Sequence, residues 1–176
     1  MATNRLIQKL FRFDESSVGE DSVTASDRRQ VERFRVLATG AAATETIVAG
    51  NTVEFQYAAA SNGEIASSVK LSVADSEGII GVALEGGVST TDAGSNVTDA
   101  PYIDVVISGI VEAKVTGTNA GGNTAIAAGE YLAASGNVGE FYKHTPGTDH
   151  PVAICCETVL NAAAVADVTV IMLSQF

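Results

Sequence analysis

The chain has no tryptophan, two cysteines, two histidines, three prolines and, beyond residue 35, no arginine. Each shortage removes a class of protein. Cys155 and Cys156 are adjacent; neighbours on a strand point to opposite faces, so a bond between them would be strained. They make neither a disulfide scaffold nor a CxxC site, and both read as free thiols with one of them buried. His144 and His150 share the turn-rich stretch Lys143–Pro151, and their surroundings match no zinc spacing, so they read as exposed loop residues. Asp92, Asn96 and Asp99 are oxygen donors, but not at the spacing of a defined calcium loop. There is no GxSxG, HExxH or P-loop pattern. Gly86-Gly87 and Gly121-Gly122 do not stand between a strand and an amphipathic helix, so they read as turns. No nucleophile, base and orienting group converge; the expectation is a protein that is not an enzyme and uses no cofactor and no metal.

Positive charge is scarce where it would matter for nucleic acid. Residues 36–176 carry only Lys70, Lys114 and Lys143, and the pI is near 4.4. A phosphate backbone would be repelled. Apolar runs fall short of the roughly 20 residues that span a bilayer. Met1–Phe13 interleaves Arg5, Lys9 and Arg12 with its apolar residues and lacks the uninterrupted core of a signal peptide. The chain is therefore expected to be made in the cytosol, without general secretory export, and to bind neither nucleic acid nor membrane.

What is present is a division into two physical objects. All six arginines, Arg5, Arg12, Arg28, Arg29, Arg33 and Arg35, lie in the first 35 residues, whereas the rest is acidic and rich in Ala, Gly and Val. The reading is an N-terminal docking arm over 1–35 and a β-rich domain over 36–176. Arginine suits forked pairing with carboxylates on a partner. Leu6, Ile7, Leu10 and Phe11 fall on one face of a short helix flanked by Arg5, Lys9 and Arg12. Such a helix is too short to stand alone in water, which points to docking. Asp27-Arg28-Arg29-Gln30 fits a helix start, while the alternation of Phe34 and Val36 fits a strand beginning near Arg33; the residues leave both open.

From Leu37 onward the pattern is strands and turns. Val53–Tyr57 and Val69–Val73 alternate at period two, and Ile79–Leu84 is a continuous apolar run suited to a strand buried on both faces. Tyr102–Ile107 and Ile110–Val115 are β-branched and separated by Ser108-Gly109. Tyr131–Ala134, Val138–Tyr142, Val152–Glu157 and Val168–Leu173 follow, with turn signals such as Ser61-Asn62-Gly63 and Ser135-Gly136-Asn137 between them. The expected fold is all-β: a small barrel or sandwich of about ten short strands behind an extended, partly helical arm. An internal echo fits a duplication, 47–115 against 126–174, and equally a chance recurrence in a chain built from few residue types. Ile47–Gly50 resembles Ile126–Gly129, Gly81–Leu84 resembles Pro151–Ile154, and Ile103–Ile107 resembles Ala166–Val170. With no tryptophan and 6% aromatics the core is thin, so stability gained from a partner is a natural remedy.

Val48–Val53, Ile79–Gly86, Ile103–Val115 and Ile126–Leu132 give the sequence a further meaning. A Gly-polar lead-in to a strand, a Gly-Val-Ala strand, a strand–Gly–strand hairpin and a second Gly-polar lead-in resemble the capsid decoration, or cement, proteins of tailed bacteriophages. The resemblance covers roughly residues 36–174. It implies a structural virion protein on the outer capsid surface, made in the bacterial host cytoplasm. It further implies a homotrimer at local threefold positions that bridges neighbouring major capsid protein subunits. The arm would then place Leu6, Ile7, Leu10 and Phe11 in apolar grooves of the shell, with Arg28, Arg29, Arg33 and Arg35 on shell carboxylates. The alternative reading is a head-fibre or host-surface adhesin that binds glycans through Tyr57, Tyr102, Tyr131, Phe141 and Tyr142.

Overall fold

One long strand organises the molecule. The computed structural model describes residues 29–59, 62–119, 122–160 and 165–173. Among them are fourteen strands and one short helix. In chain order these are β1 (Gln30–Val36), β2 (Thr44–Ile47), β3 (Thr52–Phe55), α1 (Asn62–Ser67), β4 (Ser68–Leu71), β5 (Ile79–Ala83), β6 (Gly87–Thr91) and β7 (Val97–Asp99). Then come β8 (Tyr102–Val115), β9 (Thr118–Asn119), β10 (Gly122–Asn123), β11 (Tyr131–Ala134), β12 (Phe141–Lys143), β13 (Ala153–Cys155) and β14 (Ala166–Met172). The all-β expectation holds. The helix expected in the arm falls outside the described residues.

Strand β8, with 14 residues, belongs to two closed rings. Its first half pairs with β1 and β5, and β1–β4, β4–β3 and β3–β5 complete a five-stranded barrel, barrel 1. Its second half pairs with β14 and β12, and β12–β11, β11–β13 and β13–β14 complete barrel 2. Tyr102–Ile107 and Ile110–Val115, expected as two arms of a hairpin, are thus one strand. Ser108 pairs with Gln30 on one side and Gly109 with Met172 on the other, so pairing passes from ring to ring with only a bulge at Ile107, and a positive φ of 101° at Gly109 lets the strand bend between rings. Likewise Asn62-Gly63, expected in a turn, opens α1. β2, β6 and β7 form a separate three-stranded sheet beside barrel 1.

The two barrels share one hydrogen-bonding plan. In each, the first strand runs parallel to the third and antiparallel to the last. Gly50 N–H donates to Ala83 C=O (2.8 Å), and Gly129 N–H donates to Cys155 C=O (2.7 Å). Leu37 N–H donates to Val69 C=O as Thr116 N–H does to Phe141 C=O. Thr52 pairs with Val82 as Tyr131 pairs with Ile154. The plan aligns Gly81 with Ala153 and Ile103 with Val168, two residues along from the sequence echo. A slip of two keeps every side chain on its face, which is why the sequence pattern alone does not detect it.

Inward positions fill each ring. Barrel 1 encloses Val36, Val53, Val69, Ile80, Ala83, Ile103 and Val105; barrel 2 encloses Val111, Ala113, Val115, Leu132, Phe141, Cys155, Val168 and Val170. β5 is buried along its whole length, as its continuous apolar run implies. Ile80 and Ala83 face barrel 1's own core, whereas Ile79 and Val82 join the core of barrel 2. Backbone bonds lock the rings together: Lys114 N–H to Gly50 C=O (2.8 Å), Thr52 N–H to Gly139 C=O (3.0 Å) and Gly139 N–H to Ser72 C=O (3.0 Å).

Candidate functional site

The described part of the chain starts at the waist between the barrels. Gln30, the first residue of β1, sits opposite Ser108. The division drawn at residues 35 and 36 therefore falls inside a strand, and the β module already includes Arg33 and Arg35. Arg29 is exposed and lines a cleft of about 300 Å³ with Ala49, Gly50, Ala83, Leu84, Val111, Glu112 and Asp167.

The expected docking residues part company here. Arg5, Leu6, Ile7, Lys9, Leu10, Phe11, Arg12 and Arg28 lie outside the described residues. Arg33 and Arg35 point outward from β1 and meet carboxylates of their own chain. Arg33 Nε lies 3.1 Å from Asp104 and its terminal nitrogen 3.9 Å from Glu85, while Arg35 lies 3.6 Å from Glu64. Such exposed pairs contribute only about 0–1 kcal/mol each.

The lysines are committed in the same way. Lys70 pairs with Glu54 (3.0 Å), Lys114 with Asp167 (3.0 Å) and Lys143 with Glu130 (2.6 Å). Hydrogen bonds from Lys143 and from the Ala127 N–H hold the Glu130 carboxyl below its usual range. Among the described residues every lysine, Arg33 and Arg35 are thus met within the chain, and the body turns acidic groups such as Glu112, Glu157 and Glu77 to the outside. Not all the acid is surface hydration, however. Glu54 is buried and also accepts from the Val73 N–H and the Ser76 hydroxyl.

Remaining candidates have ordinary partners. Asp92 accepts from Gly94 N–H and from the backbone and side chain of Asn96, bonds that close its own turn and lower its pKa. His144 Nε2 is 2.9 Å from the Asp149 carbonyl, its ring edge-on to Tyr131. Cys155 is buried and its thiol, donating to the Glu157 carbonyl (3.0 Å), is pushed up in pKa by desolvation; Cys156 is exposed. Of the aromatics considered for glycans, Phe141 is fully buried, while Tyr57, Tyr102 and Tyr131 stand exposed on three different strands or their ends.

One surface escaped the sequence reading. Ile110 on β8 pairs with Ile171 on β14, Ile171 with Ile154 on β13, and Ile154 with Tyr131 on β11. Direct cross-strand partners share a face, so these four apolar side chains form a row across the outside of barrel 2. Ile171 is 37% and Tyr131 50% exposed. On one flank, Thr169 pairs with Glu112 and gives its N–H to Glu157, whose carboxyl is held low by that residue's hydrogen bonds. Alternation marks each of these residues as outward, but only the register lines them up.

No family model matches the chain, and no curated protein matches it.

Proposed function

We propose that the chain is a structural virion protein that binds the outside of a phage capsid and bridges neighbouring major capsid protein subunits, as a homotrimer at local threefold positions, without catalysis. One observation carries the reading: the cations of the described body are consumed in internal pairs, so the positive charge left to meet a partner is that of Arg5, Lys9, Arg12, Arg28 and Arg29. A polyanionic, doubly closed β module repels nucleic acid and other copies of the particle. Its arginine-rich, apolar leader supplies the group that grips carboxylates and grooves on a shell. The resemblance in Val48–Val53, Ile79–Gly86, Ile103–Val115 and Ile126–Leu132 points the same way.

The test is co-sedimentation of the purified chain with expanded empty shells of the major capsid protein encoded in the same genome. Saturable binding that weakens with salt is expected, and deletion of residues 1–26 should lower affinity at least about tenfold, the loss of a few charge-assisted contacts. Equal binding by the truncated chain would overturn the role of the leader. Retention on a glycan array with no shell binding would replace the cement reading by the adhesin.

A further inference from the structure

Because the barrels share one plan, their outer faces are comparable strand by strand. The row in barrel 1 equivalent to Ile110–Ile171–Ile154–Tyr131 is Val31–Val106–Val82–Thr52. There Val106, Val82 and Thr52 are fully buried, with Val106 and Val82 packed into the core of barrel 2. In barrel 2 no described residue seals the same row: Ile110 and Ile154 are half-buried, and Ile171 and Tyr131 are exposed. Four strands at about 4.8 Å spacing make it about 14 Å wide.

Two features of the molecule select what covers it. The first is where the chain continues. β1 begins at Gln30 opposite Ser108, two positions along β8 from Ile110, and 28 residues precede Arg29. Sixteen residues separate Arg12 from Arg29, a length that as a random coil would span about 22 Å, enough for the segment before it to reach the row at an effective concentration on the order of millimolar. The second is charge. Exposed Glu112 and Glu157 border the row, and the spacing of Leu6, Ile7, Leu10 and Phe11 would put them on one face of a helix with Arg5, Lys9 and Arg12 beside them.

We propose that in the free chain residues 5–12 dock on the outer row of their own barrel 2, apolar face on the isoleucines and Tyr131, cations toward Glu112 and Glu157. The leader is then held at home until a competing groove takes it. The docking belongs to the free chain; its failure leaves the shell reading untouched, and failure of shell binding leaves the docking untouched.

Limited trypsin digestion of the full chain, followed by mass spectrometry, tests it. Cleavage after Lys9 and Arg12 is expected to be at least tenfold slower than in a synthetic peptide of residues 1–28. Ile171→Glu, at an exposed position, should restore the peptide's rate. Leu10→Glu should do the same from outside the barrels, so a folding defect in the first variant cannot hide the answer. Cleavage of the full chain at the peptide's rate, or protection that survives both variants, overturns the proposal. Protection that disappears on about hundredfold dilution assigns the row to a second copy's leader and overturns the own-chain form.

Discussion

Barrel 1 and barrel 2 follow one hydrogen-bonding plan but are filled and covered differently. Barrel 1 has no fully buried aromatic ring; Phe34 and Phe55, on its inward face opposite Ile103 and Val69, are half-buried and stand edge-on to each other at 6.0 Å. Barrel 2 is built around Phe141, which occupies the position of Val69. Barrel 1 also has its outer row sealed by barrel 2, whereas barrel 2 leaves its own row open. The lesson is that a backbone plan tolerates quite different stuffing, and that the second unit serves as both neighbour and lid to the first.

The contrast in filling gives the largest expected effect. Phe141→Ala should cost about 3–5 kcal/mol and Val69→Ala about 2 kcal/mol, by urea unfolding of the whole chain. Equal losses would show that the ring does not anchor barrel 2. The contrast at β5 and β13 comes next. A Cβ at Gly81 would lie 2.4 Å from the Val106 carbonyl oxygen and 2.6 Å from a Val105 methyl, whereas its counterpart in barrel 2 is already alanine, Ala153. Gly81→Ala should therefore destabilise by about 1–3 kcal/mol through overpacking against backbone, and Ala153→Gly by about 0.5–1 kcal/mol. If Gly81→Ala is neutral, the close approach of β8 to Gly81 is not a real difference between the rings.

The smallest effect concerns Glu45, which ties the side sheet to barrel 1 by accepting the Leu71 N–H (2.8 Å). Desolvation raises its pKa above 4.5, against the pull of that bond and of Lys70. The folded state then keeps a proton that the unfolded state has released, so stability falls as pH rises from 4.5 through the raised value. Glu45→Gln keeps a carbonyl acceptor and removes the charge. The variant should lose this pH dependence and gain slightly at neutral pH, as thermal melts across acid pH would report. A variant that keeps the wild-type slope would clear Glu45 of the effect.

Much of the fold was legible. The unbroken apolar run at Ile79 marked β5 correctly, because burial on two faces leaves a direct trace in the residue order. Alternation in Val53–Tyr57 found β3, which ends at Phe55, but gave no sign that its polar face is covered as well, with Thr52, Glu54 and Gln56 buried. Ser108-Gly109 misled, since the same dipeptide that turns a hairpin can bend a strand whose two edges find new partners. Arg33 and Arg35 were read as free cations because a sequence shows no carboxylate across a ladder; Asp104 lies 71 residues from Arg33 yet faces it in register. The apolar row stayed invisible for the same reason. Ile110, Tyr131, Ile154 and Ile171 are scattered along the chain, and only pairing brings them abreast.

Sharing β8 between two closed rings has a consequence for how this molecule meets others. A ring has no free margin of N–H and C=O groups, so neither barrel invites another strand to extend it. The open margins that remain among the described residues belong to the small sheet of β2, β6 and β7, whose edge strands have four and three residues, and to the two-residue strands of the β9–β10 pair. Neighbours must therefore recognise side chains rather than add to the backbone ladder. A densely crowded surface coated with such modules would stay free of runaway strand-to-strand fibre growth.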